Sequence, residues 1–314
     1  MRVLFWGTPE FAAAPLRALI GEGFEVIGVV TQPDKPAGRS RTVTAPPVKE
    51  IALEEKIPCF QPLSPKDEEF VATITAIEPD ISIVVAYGHI LPRRVIDIPK
   101  HGTLNIHASL LPLLRGAAPI QGAIRQGMRQ TGVTIMRMVP ALDAGPIILT
   151  AAVPILEDET YGELQNRLAE LGALTLIEAL ALIELGKASE TDQDDALATF
   201  APKVTRDDAR IDWSMTVDEV SRSIRAYDPK PGAFTTLRGS DVKVFGARPA
   251  GAQSLRGAMP GEPGQVIAVS EGIIVSCADG AICIRDVQPA GKKRMRASEW
   301  LRGRGVSIGD RLGT

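Results

Sequence analysis

The N-terminal part of the chain alternates short apolar runs with amphipathic stretches, and this alternation constrains the fold more than any other feature. Val3 to Trp6 reads as a buried strand, Gly7-Thr8 as a turn, and Pro9 to Ile20 as a helix whose Pro9 suits the first helical turn. Strand-like runs recur at Phe24 to Thr31, Ile81 to Ala86, Thr103 to His107 and Val133 to Val139, separated by helical or loop segments. Strand, helix, strand order requires crossover connections, which favours a mostly parallel, doubly wound α/β sheet. Thr160 and Glu163 form a capping box. Leu164, Leu168, Leu171, Leu180 and Leu185 then carry an apolar stripe down a long helix expected to end near Gly186.

The pattern changes beyond that helix. From Ala188 to about Asp208 the residues are small and polar without a sustained period, which predicts a linker. A helix around Val217 to Ala226 is followed by short alternating runs at Ala233 to Leu237, Val242 to Phe245, Gln265 to Val269, Ile273 to Cys277 and Ile282 to Val287. Several short strands with turn signals between them predict a small antiparallel β-barrel or sandwich. The expected division is therefore 1–188, a linker 189–208, and 209–314.

Charge follows the same division. The net charge of −3 over 314 residues is the balance of −7 for residues 1–203 and +4 for the remainder. The molecule as a whole carries no basic field of the kind that marks nucleic-acid binders, but its C-terminal part does lean basic. Three cysteines, Cys59, Cys277 and Cys283, have neither paired nor Cys/His spacing, so no disulfide framework and no metal site is expected. With Asp279-Gly280 as a two-residue turn, Ser276 would pair Cys283 and Cys277 would pair Ile282, on opposite sheet faces. No apolar run is long enough to span a membrane, and the opening MRVLFW lacks the regions of a signal peptide. A reduced, cytoplasmic protein without membrane attachment is expected.

Asn105 and His107 stand at i and i+2 in TLNIH, so on a strand both side chains emerge from one face. The proline-punctuated loop ASLLPLLRGAAP follows at the carboxyl end of that strand, where ligands sit in open α/β sheets. Asp143 has a similar place in LDAGP, after the Val133 to Val139 run. An amide, an imidazole and a carboxylate at two strand ends can bind an oxyanion and move a proton, although such residues also serve to satisfy loop backbone groups.

The strings NIHASLLPLLRGAAPIQGAI, TGVTIMRMVPALDAGPI, TQPDKPAGR and VVAYGHILP, with VTRDDARIDW, IRAYDPKPGA and PAGKKRM further on, occur in an order and spacing that resembles the methionyl-tRNA formyltransferase family over nearly the whole chain. The resemblance implies a Rossmann-like formyltransferase domain followed by an OB-like barrel that helps hold tRNA. It implies 10-formyltetrahydrofolate as donor and the α-amino group of methionyl initiator tRNA as acceptor, for translation initiation. It matches Asn105, His107 and Asp143 to the catalytic trio. It also places Tyr87, Gly88, Ile90, Leu91 and Pro92, with Ser109, Leu110, Leu111 and Pro112, along the folate site, mostly through backbone contacts. Lys35, Arg39 and Arg41, in the proline-bounded segment Pro33 to Pro47, and the run Lys292, Lys293, Arg294 and Arg296 are implied tRNA contacts. The chain departs from the family pattern at Leu113-Leu114, where a basic and an aromatic residue are usual, and at Lys230, where an aromatic is usual.

The chemistry follows from the reaction itself. Formyl transfer to an amine passes through a tetrahedral oxyanion, for which the Asn105 amide and a protonated His107 are suitable donors. One proton must leave the amine and another must reach the folate nitrogen, which suits an imidazole acting directly or through a water. An α-amino group with a pKa of about 7.7–8.0 is partly neutral near pH 7, so no strong base is needed. Asp143 would orient His107. No metal and no covalent intermediate is called for, and a monomer is expected. A dinucleotide-dependent oxidoreductase is disfavoured because GTPEFA holds one glycine where G-x-G-x-x-G is required. The alternatives are a formyltransferase acting on a small amine, such as glycinamide ribonucleotide or an amino sugar nucleotide, and a formyltetrahydrofolate hydrolase. A nonenzymatic RNA-binding protein on the same scaffold would have no need of the intact trio.

Overall fold

The computed structural model describes residues 1–37, 42–252, 254, 255, 257, 259, 261–269, 272–303 and 305–313. Arg39 and Arg41 lie outside them. The chain divides into two compact units, the first made of Met1–Pro119, Gln130–Val153 and Gln165–Ala201, the second of Ile120–Arg129, Pro154–Leu164 and Pro202–Thr314.

The first unit is built on β1 (Arg2–Gly7), α1 (Ala13–Gly21), β2 (Glu25–Val30), the short β3 (Lys35–Ala37) and β4 (Thr42–Thr44), α2 (Pro47–Glu54), β5 (Cys59–Phe60), α3 (Glu68–Ala76), β6 (Ile81–Val85), α4 (Arg93–Ile96) and β7 (Thr103–His107). After α5 (Pro119–Arg125), β8 (Gln130–Arg137) and β9 (Ile147–Pro154) complete its sheet, and α6 (Tyr161–Glu184) follows. The strand order is β5-β2-β1-β6-β7-β8-β9. The pairs of β1 with β2 and β6, and of β6 with β7, are parallel, and β7 pairs β8 antiparallel. Val3, Leu4, Phe5 and Trp6 are all buried, as a central strand covered on both faces requires. Leu4, Trp6, Val30 and Val84 pack under Phe70, Ile74, Val95 and Ile96 from α3 and α4. The capping box forms, with Thr160 N donating to Glu163 Oε2 at 2.9 Å and Glu163 N to Thr160 Oγ1 at 3.3 Å. The long helix stops at Glu184 and Leu185 is exposed, whereas Leu164, Leu168, Leu180 and the unexpected Leu176 are fully buried along it.

The second unit holds α7 (Val217–Ala226), β10 (Phe234–Leu237), β11 (Ser240–Pro249), β12 (Val266–Val269), β13 (Ile273–Ser276), β14 (Ala281–Pro289), β15 (Met295–Arg296) and α8 (Ala297–Arg302). The strands form a curled antiparallel sheet of order β10-β11-β14-β13-β12, with β15 on β14, an OB-like half-barrel. Val220, Ile224 and Tyr227 pack with Trp213, Phe234, Val244, Val275 and Ile284 in its core. The β13–β14 hairpin turns one residue earlier than expected: Cys277 N donates to the Gly280 carbonyl, Ser276 pairs Ala281 and Ile274 pairs Cys283. Asp279 is held at the turn because its Oδ1 accepts from Val217 N, at the start of α7, at 2.7 Å. The thiols still lie on opposite faces, Cys277 in the main core and Cys283 beside Ile274 and Ala281. Among the described residues no helix is long and apolar enough to cross a membrane.

Candidate active site

β7 sets the first two functional side chains. Asn105 pairs Val84 on one side and Met136 on the other, and His107 pairs Thr134, so both project from one face while Ile106 is buried from the other. His107 is 6% exposed, and its Nε2 lies 3.0 Å from the Leu114 carbonyl. A carbonyl can only accept, so Nε2 carries a proton and Nδ1 is the nitrogen able to gain or lose one. Nδ1 lies 3.7 Å from Asp143 Oδ2, beyond direct hydrogen-bond reach. Asn105 and His107 thus share one face of β7, and Asp143 lies against the His107 ring. The ring is anchored at Nε2 by the Leu114 carbonyl, and Asp143 faces Nδ1.

The loop after β7 is tied down almost group by group. Thr134 Oγ1 donates to the Ser109 carbonyl at 2.7 Å and accepts from Leu111 N at 3.1 Å. Ser109 Oγ donates to the Leu113 carbonyl at 2.6 Å, and Leu114 N donates to Thr199 Oγ1 at 2.8 Å. Arg115 N donates to the Thr199 carbonyl and Ala201 N to the Arg115 carbonyl, both at 2.8 Å. Gly116, at φ 121°, would place a Cβ 2.6 Å from the Ala201 carbonyl, so only glycine fits there. Gly116 N donates to Asp143 Oδ2 at 2.8 Å. Ala86, Leu114 and Asp143, in the loops after β6, β7 and β8, all take positive φ (47°, 59° and 49°). Strained non-glycine backbone of this kind survives only where the surroundings impose it.

These contacts use residues that sequence reading did not single out. Thr199 belongs to the polar stretch read as a linker, where small polar residues gave no periodic signal. Thr134 was hidden within a strand. At the Leu113-Leu114 departure Leu114 is buried, and the carbonyl that anchors His107 is a backbone group that any residue at 114 would supply.

The expected folate-lining segment divides by burial. Tyr87 and Leu91 are core side chains, the Tyr87 ring standing edge-on to Trp6 at 5.2 Å, so only their backbone could reach a ligand. Burial pushes the Tyr87 hydroxyl up to about 12. Gly88 and Ile90 are exposed, and Pro92 caps α4. Ser109 and Leu111 are buried, Leu110 and Pro112 half-buried. The Tyr87 carbonyl accepts from Thr8 Oγ1 at 3.1 Å and Gln32 Nε2 at 3.3 Å, joining the β6 loop to the turn after β1. Lys35 is exposed, with Nζ 3.4 Å from Gln32 Oε1. Nearby, Lys49 Nζ lies 2.7 Å from both Asp34 Oδ2 and Gln61 Oε1, and its hydrogen bond, then that of Gln61, holds the Asp34 carboxyl below its usual range.

The basic run of the second unit is uneven. Lys292 and Lys293 are exposed. Arg294 stacks over the Phe245 ring at 4.2 Å and pairs with Asp228 at 2.8 Å and Asp286 at 3.0 Å, while Arg296 pairs with Asp286 at 3.1 Å. Arg294 and Arg296 are thus engaged by carboxylates of their own unit.

Residues 1–180 match the formyl transferase family and residues 203–305 the formyl transferase C-terminal domain. The chain is 46% identical over 314 residues to a methionyl-tRNA formyltransferase of Methylococcus capsulatus, covering 100% of both chains. It is 44% identical to that of Bacillus subtilis, over 99% of this chain and 98% of the other. Among solved structures, HypX from Aquifex aeolicus in complex with tetrahydrofolic acid shares the fold at 21% identity and a TM-score of 0.67, over 98% of this chain; the present chain spans about half (48%) of HypX. The sugar 3N-formyl transferase WlaRD aligns with a TM-score of 0.65 at 20% identity, over 93% of this chain and 99% of that one. With the domain pair in place, full-length relatives at this identity and the motif residues gathered at two strand ends, the chain belongs to the methionyl-tRNA formyltransferase family.

Proposed function

We propose that this protein transfers the formyl group of 10-formyltetrahydrofolate to the α-amino group of methionyl initiator tRNA. The observation that carries the reading is His107 Nδ1 facing the Asp143 carboxylate at 3.7 Å, with Asn105 on the same face of β7 as His107. Asn105 would donate to the carbonyl oxygen as it gains charge. His107 would exchange a proton at Nδ1 while Nε2 stays on the Leu114 carbonyl, so the ring need not turn over. Asp143 would balance the imidazolium without itself taking the proton. The folate would lie along the loops after β6 and β7. The second unit would hold the tRNA through its basic surface, in a cytoplasmic enzyme acting as a monomer.

The reading is tested by supplying formyl donor with methionyl-tRNA or with an amino sugar nucleotide, and following formylation and folate release. Rapid formylation of methionyl-tRNA is expected, and His107→Ala or Asn105→Ala should slow single turnover by about 10² to 10⁴-fold without unfolding the chain. Formylation of the sugar nucleotide alone, donor hydrolysis without acceptor, or variants within about threefold of wild type would each overturn it.

A further inference from the structure

Asp143 has a positive φ, which its own side chain tolerates but does not enforce, so its loop must be fixed from outside. The fixing group is the side chain of Gln193. Its Nε2 donates to the Asp143 carbonyl at 2.9 Å and to the Gly145 carbonyl at 2.8 Å. Its Oε1 accepts from Arg115 Nε at 3.1 Å and Nη2 at 2.8 Å. Both donors and both lone pairs of the amide are therefore used, and the two backbone carbonyls and the guanidinium permit only one orientation of the group. Arg115 is buried and also pairs with Asp195 Oδ1 at 2.7 Å. The next residue, Gly116, donates its amide to the Asp143 carboxylate. Asp143 is thus gripped at its backbone by Gln193 and at its side chain by the residue after Arg115, and Gln193 joins the two grips.

We infer that Gln193 is a positioning residue for formyl transfer, setting the Asp143 carboxylate against His107 Nδ1 and acting on the rate only through Asp143. The inference rests on the role given to Asp143 above. It has a physical scale, since misplacement of a reacting group by about 1 Å can cost on the order of 100-fold.

The experiment measures single-turnover formylation of methionyl-tRNA by the full chain in Gln193→Ala, Gln193→Glu, Asp143→Asn and the Gln193→Ala/Asp143→Asn double variant. Glutamate keeps both acceptors for Arg115 but donates to neither carbonyl, so it isolates the grip on the Asp143 loop. Each Gln193 variant should lose about tenfold or more in rate at saturating substrates, with Michaelis constants for donor and tRNA changed less than about threefold. In the Asp143→Asn background, Gln193→Ala should cost less than about threefold, because residues acting through one another are not additive. Equal losses in both backgrounds, a loss confined to the Michaelis constants, or a wild-type rate in Gln193→Glu would overturn the inference. If Gln193→Ala does not fold, Gln193→Glu in both backgrounds decides the matter. A fast Asp143→Asn variant would instead overturn the role of Asp143; a slow one with fast Gln193 variants overturns only the inference.

Discussion

Thr134 offers the most direct measure of how firmly the site loop is held. Its hydroxyl is fully buried and serves two backbone groups, accepting from Leu111 N at 3.1 Å and donating to the Ser109 carbonyl at 2.7 Å. Thr134→Val keeps the shape and removes both bonds, leaving a buried N–H and a buried C=O without this partner. Each such group costs about 1–3 kcal/mol, partly offset by about 1 kcal/mol from the added buried methyl, so a net loss of about 1–5 kcal/mol is expected. Thr134→Ser keeps the hydroxyl and should lose only about 1 kcal/mol for the deleted methyl. The three tryptophans allow a local assay. Trp6 lies in the core of the first unit, so in a Trp213→Phe/Trp300→Phe background its fluorescence during urea unfolding follows that unit. The midpoint should fall with the slope unchanged. Turnover should fall as well, because the displaced loop carries the Leu114 carbonyl that anchors His107. A Thr134→Val variant as stable as Thr134→Ser would show that the two backbone groups find other partners, and the reasoning would be wrong.

Other consequences are equally open to measurement. Gly116→Ala should lower stability by about 3 kcal/mol or more, since it combines a 2.6 Å backbone clash with φ 121°, whereas Gly239→Ala, at φ 74° in open space, should cost only about 1 kcal/mol; equal melting-temperature losses would refute the role of the clash. Within the basic run, Arg294→Ala should lower stability by about 1–3 kcal/mol, because it leaves the buried Asp228 unpaired, while Lys293→Ala should leave stability unchanged and flatten the salt dependence of tRNA binding; thermal unfolding and binding at two salt concentrations separate the two. Burial, with help from Asp279, pushes the Cys277 thiol up to about 11 from 9.0. The folded state then keeps its proton where the unfolded state has lost it, so this contribution is complete below about pH 9 and is lost as pH rises toward 11. Stability of Cys277→Ala should decline less steeply than wild type across that window; parallel curves would remove Cys277 as the cause.

The sequence alone determined the elements and the faces. Period-two spacing put Asn105 and His107 on one side of β7, and uniform burial of Val3 to Trp6 follows from an apolar run lying at the centre of a parallel sheet. The capping residues Thr160 and Glu163 marked a helix start because that bond is local, made within three residues. Features decided by partners distant in the chain were not legible. The β13–β14 turn comes one residue early, where the Asp279 carboxylate accepts from Val217 N, sixty-two positions away. The stretch after α6 read as a linker because its polar residues have no period, yet Gln193 and Thr199 spend their polar groups on the loops of Asp143 and Leu114. The density of Lys292 to Arg296 was visible as charge, while the capture of Arg294 by Asp228 and Asp286 was not. Periodicity records which side of an element is buried. Which nitrogen of His107 is free to exchange its proton depends on the carbonyl that happens to face the other one, and only the folded loop brings Leu114 there.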